Sequence, residues 1–158
     1  MAFTVLWLQS GGCGGCSMSL LCAETPDLVA QLRGAGVEFL WHPSLSEQSG
    51  AEVKALLADI LAGHVRMDAL CLEGAVLRGP EGTGRYHVMG GTDLPMMEWV
   101  RQLAAVARYV VAVGCCPAYG CMAPAFPITL VACGSQYEGV HPGGALGAVF
   151  RAQFGSSV

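Results

Sequence analysis

Four stretches of the chain are short and continuously apolar or β-branched: Phe3 to Gln9, Val37 to Trp41, Ala69 to Val76 and Tyr109 to Val113. Runs of that length without alternation predict strands buried on both faces. Between them apolar positions recur at helical spacing. Val53, Leu56, Leu57, Ile60 and Leu61 line one side of a helix predicted over Gly50 to Ala62, with Gly63 placed to end it. Met97, Val100, Leu103, Ala104 and Ala107 do the same over Leu94 to Ala107. A third stretch, Ser17 to Arg33, stops before Gly34 and contains Pro26, which breaks it or starts a second helix behind a Thr25 cap. The order β-α-β-α-β-α-β implies one α/β domain, residues 1–158, built on a parallel sheet with right-handed crossovers. Ligands of such sheets sit beyond the carboxyl ends of the strands. Past Cys116 the chain is rich in Gly, Pro and Ala, with a short apolar run at Pro127 to Ala132 and a short helix predicted around Ala145 to Phe154.

Composition sharpens this picture. The 158 residues are 53% hydrophobic and only 13% charged, against roughly 25% charged in an average soluble domain. Two causes fit: a sheet covered on both faces, or a surface that a partner covers. The apolar runs are too short to span a bilayer, so no direct membrane insertion is expected. A net charge of -4, with eight scattered Lys and Arg, leaves no basic stripe for nucleic acid. The amino terminus runs straight into strand-like sequence without an export signal, so a cytoplasmic location is expected. In that reducing setting eight cysteines are metal ligands or redox groups rather than structural disulfides.

The cysteines cluster where the topology puts ligands. Behind the first strand lies Gln9-Ser-Gly-Gly-Cys13-Gly-Gly-Cys16-Ser-Met-Ser-Leu20, a glycine-rich turn with a Cys-x-x-Cys pair opening a helix. Glycines let backbone approach a bulky inorganic group with amides free to donate, and a helix amino terminus favours thiolate. Behind the fourth strand lies Gly114-Cys115-Cys116-Pro117-Ala118-Tyr119-Gly120-Cys121, and Glu73 ends the third. Thiolates converging from separate strand ends fit a four-iron cluster, which usually takes four cysteines. A Cys-x-x-Cys pair also suits a thioredoxin-like dithiol or half a zinc site. Glycine padding and cysteines on a second loop argue against the dithiol. Zinc accepts four thiolates too, but its structural sites are usually built on close pairs in small ribbons. Cys22 and Cys71, in apolar surroundings, are expected to be buried packing residues, while Cys115 and Cys133 are open between packing and chemistry. Gly79 to Gly84 is a poor phosphate loop, because Arg85-Tyr86 stands where Lys-Ser/Thr would be needed.

These residues resemble the small subunit of nickel-iron hydrogenases. The likeness runs nearly end to end, through Trp7-Leu-Gln and the Cys13/Cys16 turn, Trp41-His42-Pro43-Ser44-Leu45-Ser46, Leu72-Glu73-Gly74-Ala75, Gly82-Thr83-Gly84, the segment from Val110 to Gly120, Gln136-Tyr137, and Gly143-Gly144 to Phe150-Arg151. The wording around the first cysteine loop is most similar to the cytoplasmic hydrogen-sensing and uptake subgroup. The resemblance implies a flavodoxin-like, doubly wound fold and an electron-transfer subunit that is not catalytic alone. Hydrogen would be split at a nickel-iron centre held only by a partner large subunit. A proximal 4Fe-4S cluster would pass electrons on to a downstream acceptor or sensor kinase. It further implies Cys13, Cys16 and Cys116 as cluster ligands and Glu73 as the carboxylate beside the cluster. His42-Pro43 and the Gly82 segment share that edge of the family fold, where a structural role is the expectation.

The fourth family ligand sits in a Gly-Cys-Pro turn, and this sequence ends at Val158 before one. Two expectations follow: a truncated product, or a site completed by another cysteine. Cys121 is the best placed, five residues beyond Cys116. Oxygen-tolerant members carry an extra cluster cysteine at that position, though their second falls at Gly15. Cys115 is sterically less suited, since adjacent residues rarely point the same way. Two other functions compete: the related quinone-reducing subunit of respiratory complex I, which places adjacent cysteines in its first loop, and a truncated, cluster-free docking module.

Overall fold

A computed structural model describes residues 1–120, 132–138 and 141–154. Its centre is a parallel sheet of β1 (Phe3–Gln9), β2 (Val37–Trp41), β3 (Ala69–Glu73) and β5 (Tyr109–Val113), in the spatial order β2-β1-β3-β5. All four predicted strands are present, and three keep their predicted limits. The third is cut short. Beyond Glu73 the backbone turns at Gly74, whose φ is +87°, and β4 (Val76–Leu77) pairs antiparallel with β6 (Ala132–Cys133) instead of prolonging the sheet. A Cβ on Gly74 would lie 2.9 Å from the carbonyl carbon of Ser10, so the turn needs glycine for space as well as for φ.

Every residue of β3 is buried, which makes it the strand around which the sheet is ordered. Ala69 pairs in register with Val5 on one side and Tyr109 on the other, and the ladder ends at Gln9, Glu73 and Val113. The pleat sends alternate side chains to opposite faces. Leu6, Leu8, Leu70 and Leu72 meet Val53, Leu57 and Ile60 of α3 (Ala51–Leu61) and Val100 and Leu103 of α4 (Met96–Val106). Each such leucine stabilises the fold by roughly 1.5–3 kcal/mol when fully buried. On the other face Val5, Trp7, Ala69 and Cys71 pack with Leu20 of α1 (Gly15–Leu21) and with Phe39 of β2. Helices on both faces make the sheet doubly wound.

The predicted third helix is two. The first, α1, ends at Leu21, and α2 (Leu28–Gly34) starts behind Asp27, whose side chain accepts a hydrogen bond from the Ala30 amide at 3.0 Å. Asp27, not Thr25, is the cap, since its carboxylate satisfies an otherwise orphaned amide of the first turn. Three elements behind β5 were not predicted as such: α5 (Cys115–Tyr119) and the antiparallel pair β7 (Tyr137–Glu138) and β8 (His141–Pro142). The last helix, α6 (Gly147–Phe154), lies within its predicted span and against α4. The apolar run predicted from Pro127 lies outside the described residues until Ala132. Among the described residues no helix is long and apolar enough to cross a membrane.

The start of the sheet is fastened by one carboxylate. Asp68 is buried and accepts from the Thr4 amide at 3.0 Å, the Thr4 hydroxyl at 3.1 Å and Arg66 Nε at 2.9 Å. The Thr4 amide bond, helped by the Thr4 hydroxyl and Arg66, holds the carboxyl below its ordinary 3.8 against the opposing effect of burial. Because the folded value is depressed, this stabilisation is complete above the ordinary value and is lost as pH falls through the folded one. D68N is expected to lower stability at neutral pH and to flatten its acid dependence. Urea midpoints measured from neutral to roughly pH 3 check this, and an unchanged slope would contradict it.

Candidate metal centre

The register of the sheet brings three loops to one level. Behind β1, the Ser10 amide donates to the Glu73 carbonyl at 2.7 Å, and Gly11 and Ala75 exchange two bonds at 3.0 and 2.8 Å. The cysteine turn is thus tied to the end of β3 before it reaches Cys13. Gly14, at φ +73°, then opens α1. Cys13 is exposed and Cys16 half-buried. The Cys13 sulfur accepts a weak bond from the Gly15 amide at 3.4 Å.

Glu73 closes the site from below and is 2% exposed. Its Oε1 accepts from the Cys16 and Ser17 amides, both at 3.0 Å, and its Oε2 accepts from the Trp7 indole N–H at 3.3 Å and from the Ser17 hydroxyl. Burial alone would raise this carboxyl, but the Ser17 hydroxyl and amide, the Trp7 indole and the Cys16 amide together outweigh it and hold Glu73 below its usual range. Trp7 in turn lies against His42, with ring centroids 4.8 Å apart. His42 is 1% exposed, and its Nδ1 accepts from the Ser44 amide at 3.1 Å. That bond fixes the neutral tautomer with the proton on Nε2. Burial lowers the His42 pKa, opposed by the charge of Glu73.

The second cysteine loop meets the first at Gly114. A Cβ there would sit 2.5 Å from the Cys16 sulfur, and the φ of Gly114 is +90°. Cys115 starts α5 and is exposed; Cys116 follows it and is half-buried. The Cys16 thiol is pushed up by burial first, then by the negative charge of Glu73, of Cys13 and of Cys115. Cys13, Cys16, Cys115 and Glu73 therefore share one electrostatic neighbourhood. α5 is itself clamped from behind, where the Ser135 hydroxyl and amide donate to the Pro117 carbonyl at 2.7 and 2.6 Å. Cys121 lies outside the described residues.

The remaining thiols divide by burial. Cys71 is buried, and desolvation pushes its pKa up to about 11. Cys133 is buried as well, with its sulfur 3.8 Å from the Val76 carbonyl. Cys22 is exposed, contrary to its apolar surroundings in sequence, because α1 has already ended and the chain turns outward. A cavity of about 450 Å³ beside this edge is bounded by Gln9, Trp41, Pro43, Lys54 and Met96. Ser17 and Trp7 escaped the sequence reading as partners of Glu73; the signal available was their place, one residue behind Cys16 and two before Gln9.

Among the described residues no three His, Cys, Asp or Glu side chains converge on a single-ion geometry. A four-iron cluster makes no such demand, since each thiolate binds a different iron. The donor set fits that group: thiols on two loops and a glycine that clears space beside Cys16.

Comparison with known proteins identifies the family. Residues 13–145 match the profile of the family described as NADH ubiquinone oxidoreductase, 20 Kd subunit, and the chain belongs to that family. Within it, the chain corresponds to the amino-terminal domain of nickel-iron hydrogenase small subunits. It is 32% identical over 126 residues to the F420 non-reducing hydrogenase I small subunit of Methanosarcina mazei, covering 73% of this chain and 32% of that one. It is 35% identical over 124 residues to the periplasmic [NiFeSe] hydrogenase small subunit of Desulfomicrobium baculatum, covering 73% and 38%. The reduced, active Ni-Fe-Se hydrogenase structure from the same organism superposes with a TM-score of 0.72 at 29% identity, over 85% of this chain and 50% of that one. The chain thus spans about a third of the length of these curated relatives.

G114A combines a strained φ with a collision against Cys16. A loss of about 1–3 kcal/mol is expected, read by urea unfolding, together with faster labelling of Cys16 by a thiol reagent. Wild-type stability and labelling in this variant would show that Gly114 does not set the Cys16 position.

Proposed function

We propose that this chain carries the proximal 4Fe-4S cluster of a nickel-iron hydrogenase, on Cys13, Cys16 and Cys116, with Cys121 as the candidate fourth ligand. The observation that supports this reading is the meeting of the two cysteine loops at Gly114, on the carboxyl edge of a hydrogenase-type sheet. When bound, the cluster would supply one-electron transfer at this edge of the sheet. The protein's part is placement. Gly114 lets Cys16 reach the second loop, and the sheet register holds both loops at one level. Hydrogen oxidation itself belongs in this reading to a nickel-iron centre in a partner large subunit, from which electrons pass to a downstream acceptor or a sensor kinase. We extend the proposal to a cytoplasmic hydrogen-sensing or uptake role, on the wording of the first cysteine loop.

A quinone-reducing role as in complex I keeps one supporting observation, the description of the family profile. The two-residue spacing of Cys13 and Cys16 favours the hydrogenase reading.

Anaerobic reconstitution with ferrous iron and sulfide is the test. About four irons and four sulfides per chain are expected, with an electron spin resonance signal on reduction. C16S is expected to abolish most of the loading. An unchanged iron content in C121S would exclude that residue as a ligand, and zinc alone or no metal in the wild type would sink the cluster.

A further inference from the structure

A carboxylate beside a metal centre invites the role of an extra ligand, but Glu73 is already fully engaged. An ionised carboxylate offers about four acceptor positions. Four donors fill them: the Cys16 amide, the Ser17 amide, the Ser17 hydroxyl and the Trp7 indole. Three of the four belong to the first turn of α1, the turn that carries Cys16. Glu73 itself is fixed by β3, where its neighbours in register are Gln9 and Val113, the last residues before the two cysteine loops.

We infer that Glu73 is a positioning residue: it holds the start of α1, and with it Cys16, at the level of the second cysteine loop, and places a fixed negative charge behind the cluster without ligating iron. The geometry leaves little freedom. Cys16 lies against Gly114 with no room for a methyl group between them, so a shift of α1 by a fraction of a bond length moves the sulfur relative to Cys115 and Cys116. Trp7 stiffens the anchor from the side, since its N–H donates to Glu73 while its ring is packed against His42 and Phe39. Both Trp7 and Glu73 point to the face covered by α1, which is why one carboxylate can reach the helix and the indole together. A negative charge held there disfavours adding an electron to the neighbouring centre, because net charge around an iron-sulfur cluster sets its potential.

The experiment has two arms, and only the second rests on the cluster reading. In the chain without metal, amide hydrogen exchange at Cys16 and Ser17 is compared between wild type, E73Q, S17A and W7F. Losing bonds to a charged acceptor is expected to speed exchange at both amides by roughly ten- to a hundredfold in E73Q. S17A and W7F each delete one donor, and smaller changes in the same direction are expected. In reconstituted protein, E73Q is expected to retain its iron while its midpoint potential moves positive and its resonance signal changes shape. E73D, which restores the charge on a shorter stem, is expected to return the potential towards the wild-type value. Wild-type exchange in all three first-arm variants overturns the anchor. Loss of iron from E73Q with unaltered exchange would make Glu73 a ligand and overturn it equally, as would an unmoved potential in fully loaded E73Q. If the wild type takes up no iron, the cluster reading fails, and the exchange arm alone decides the anchor.

Discussion

The site depends on the register of three strands. β3 is buried on every residue, so a slip of one position would carry Leu70 and Leu72 out of one core and Cys71 out of the other. That penalty locks β1 and β5 on either side of it. Gln9, Glu73 and Val113 then stand abreast, and whatever follows them in sequence starts from one line. The cysteine residues do not have to find each other. Core packing well below them has already decided where their loops begin.

What remains is to bring the loops into contact, and the structure does this by removing atoms and placing a charge. Gly12 and Gly74 touch backbone to backbone, where a Cβ on Gly12 would lie 2.9 Å from the Gly74 Cα. Gly114 admits the Cys16 sulfur. The space so opened would leave α1 poorly held, since Gly14 at its start offers no side chain to cap it. Glu73 takes the place of that missing cap from a different strand. A carboxylate at a helix amino terminus is favoured by the helix dipole as well as by its hydrogen bonds, so a residue 57 positions away from Cys16 does the work that a local Ser or Asp does in an ordinary helix.

The fold was legible because continuous apolar runs and helical spacing report burial directly. β1, β2 and β5 lie where Phe3–Gln9, Val37–Trp41 and Tyr109–Val113 place them. Errors fell where local conformation turned on one side chain. Asp27 captures the Ala30 amide and moves the α2 cap past Pro26, and Gly74 adopts a left-handed φ that ends β3 early. Neither event alters the apolar pattern. For the site, the cysteine loops and Glu73 were readable from motif and strand end. The four-donor network was not, because Trp7 meets Glu73 through pairing of strands 66 residues apart.

The two kinds of cysteine show the same division between pattern and position. Cys71 and Cys16 stand on either side of Glu73 in the fold, one two residues before it on β3, the other hydrogen-bonded to it through its amide. Cys71 faces the apolar core of Val5, Trp7 and Ala69, and a pKa of about 11 keeps it a thiol at any physiological pH. Cys16 is raised too, by burial and then by the charges of Glu73, Cys13 and Cys115. Burial and the Glu73 carboxylate oppose ionisation of this thiol in isolation. A bound cation favours the thiolate instead, because the metal takes the place of the proton. The two thiols thus differ in setting: Cys71 is enclosed by apolar side chains, while Cys16 lies half-buried with its amide on the Glu73 carboxylate.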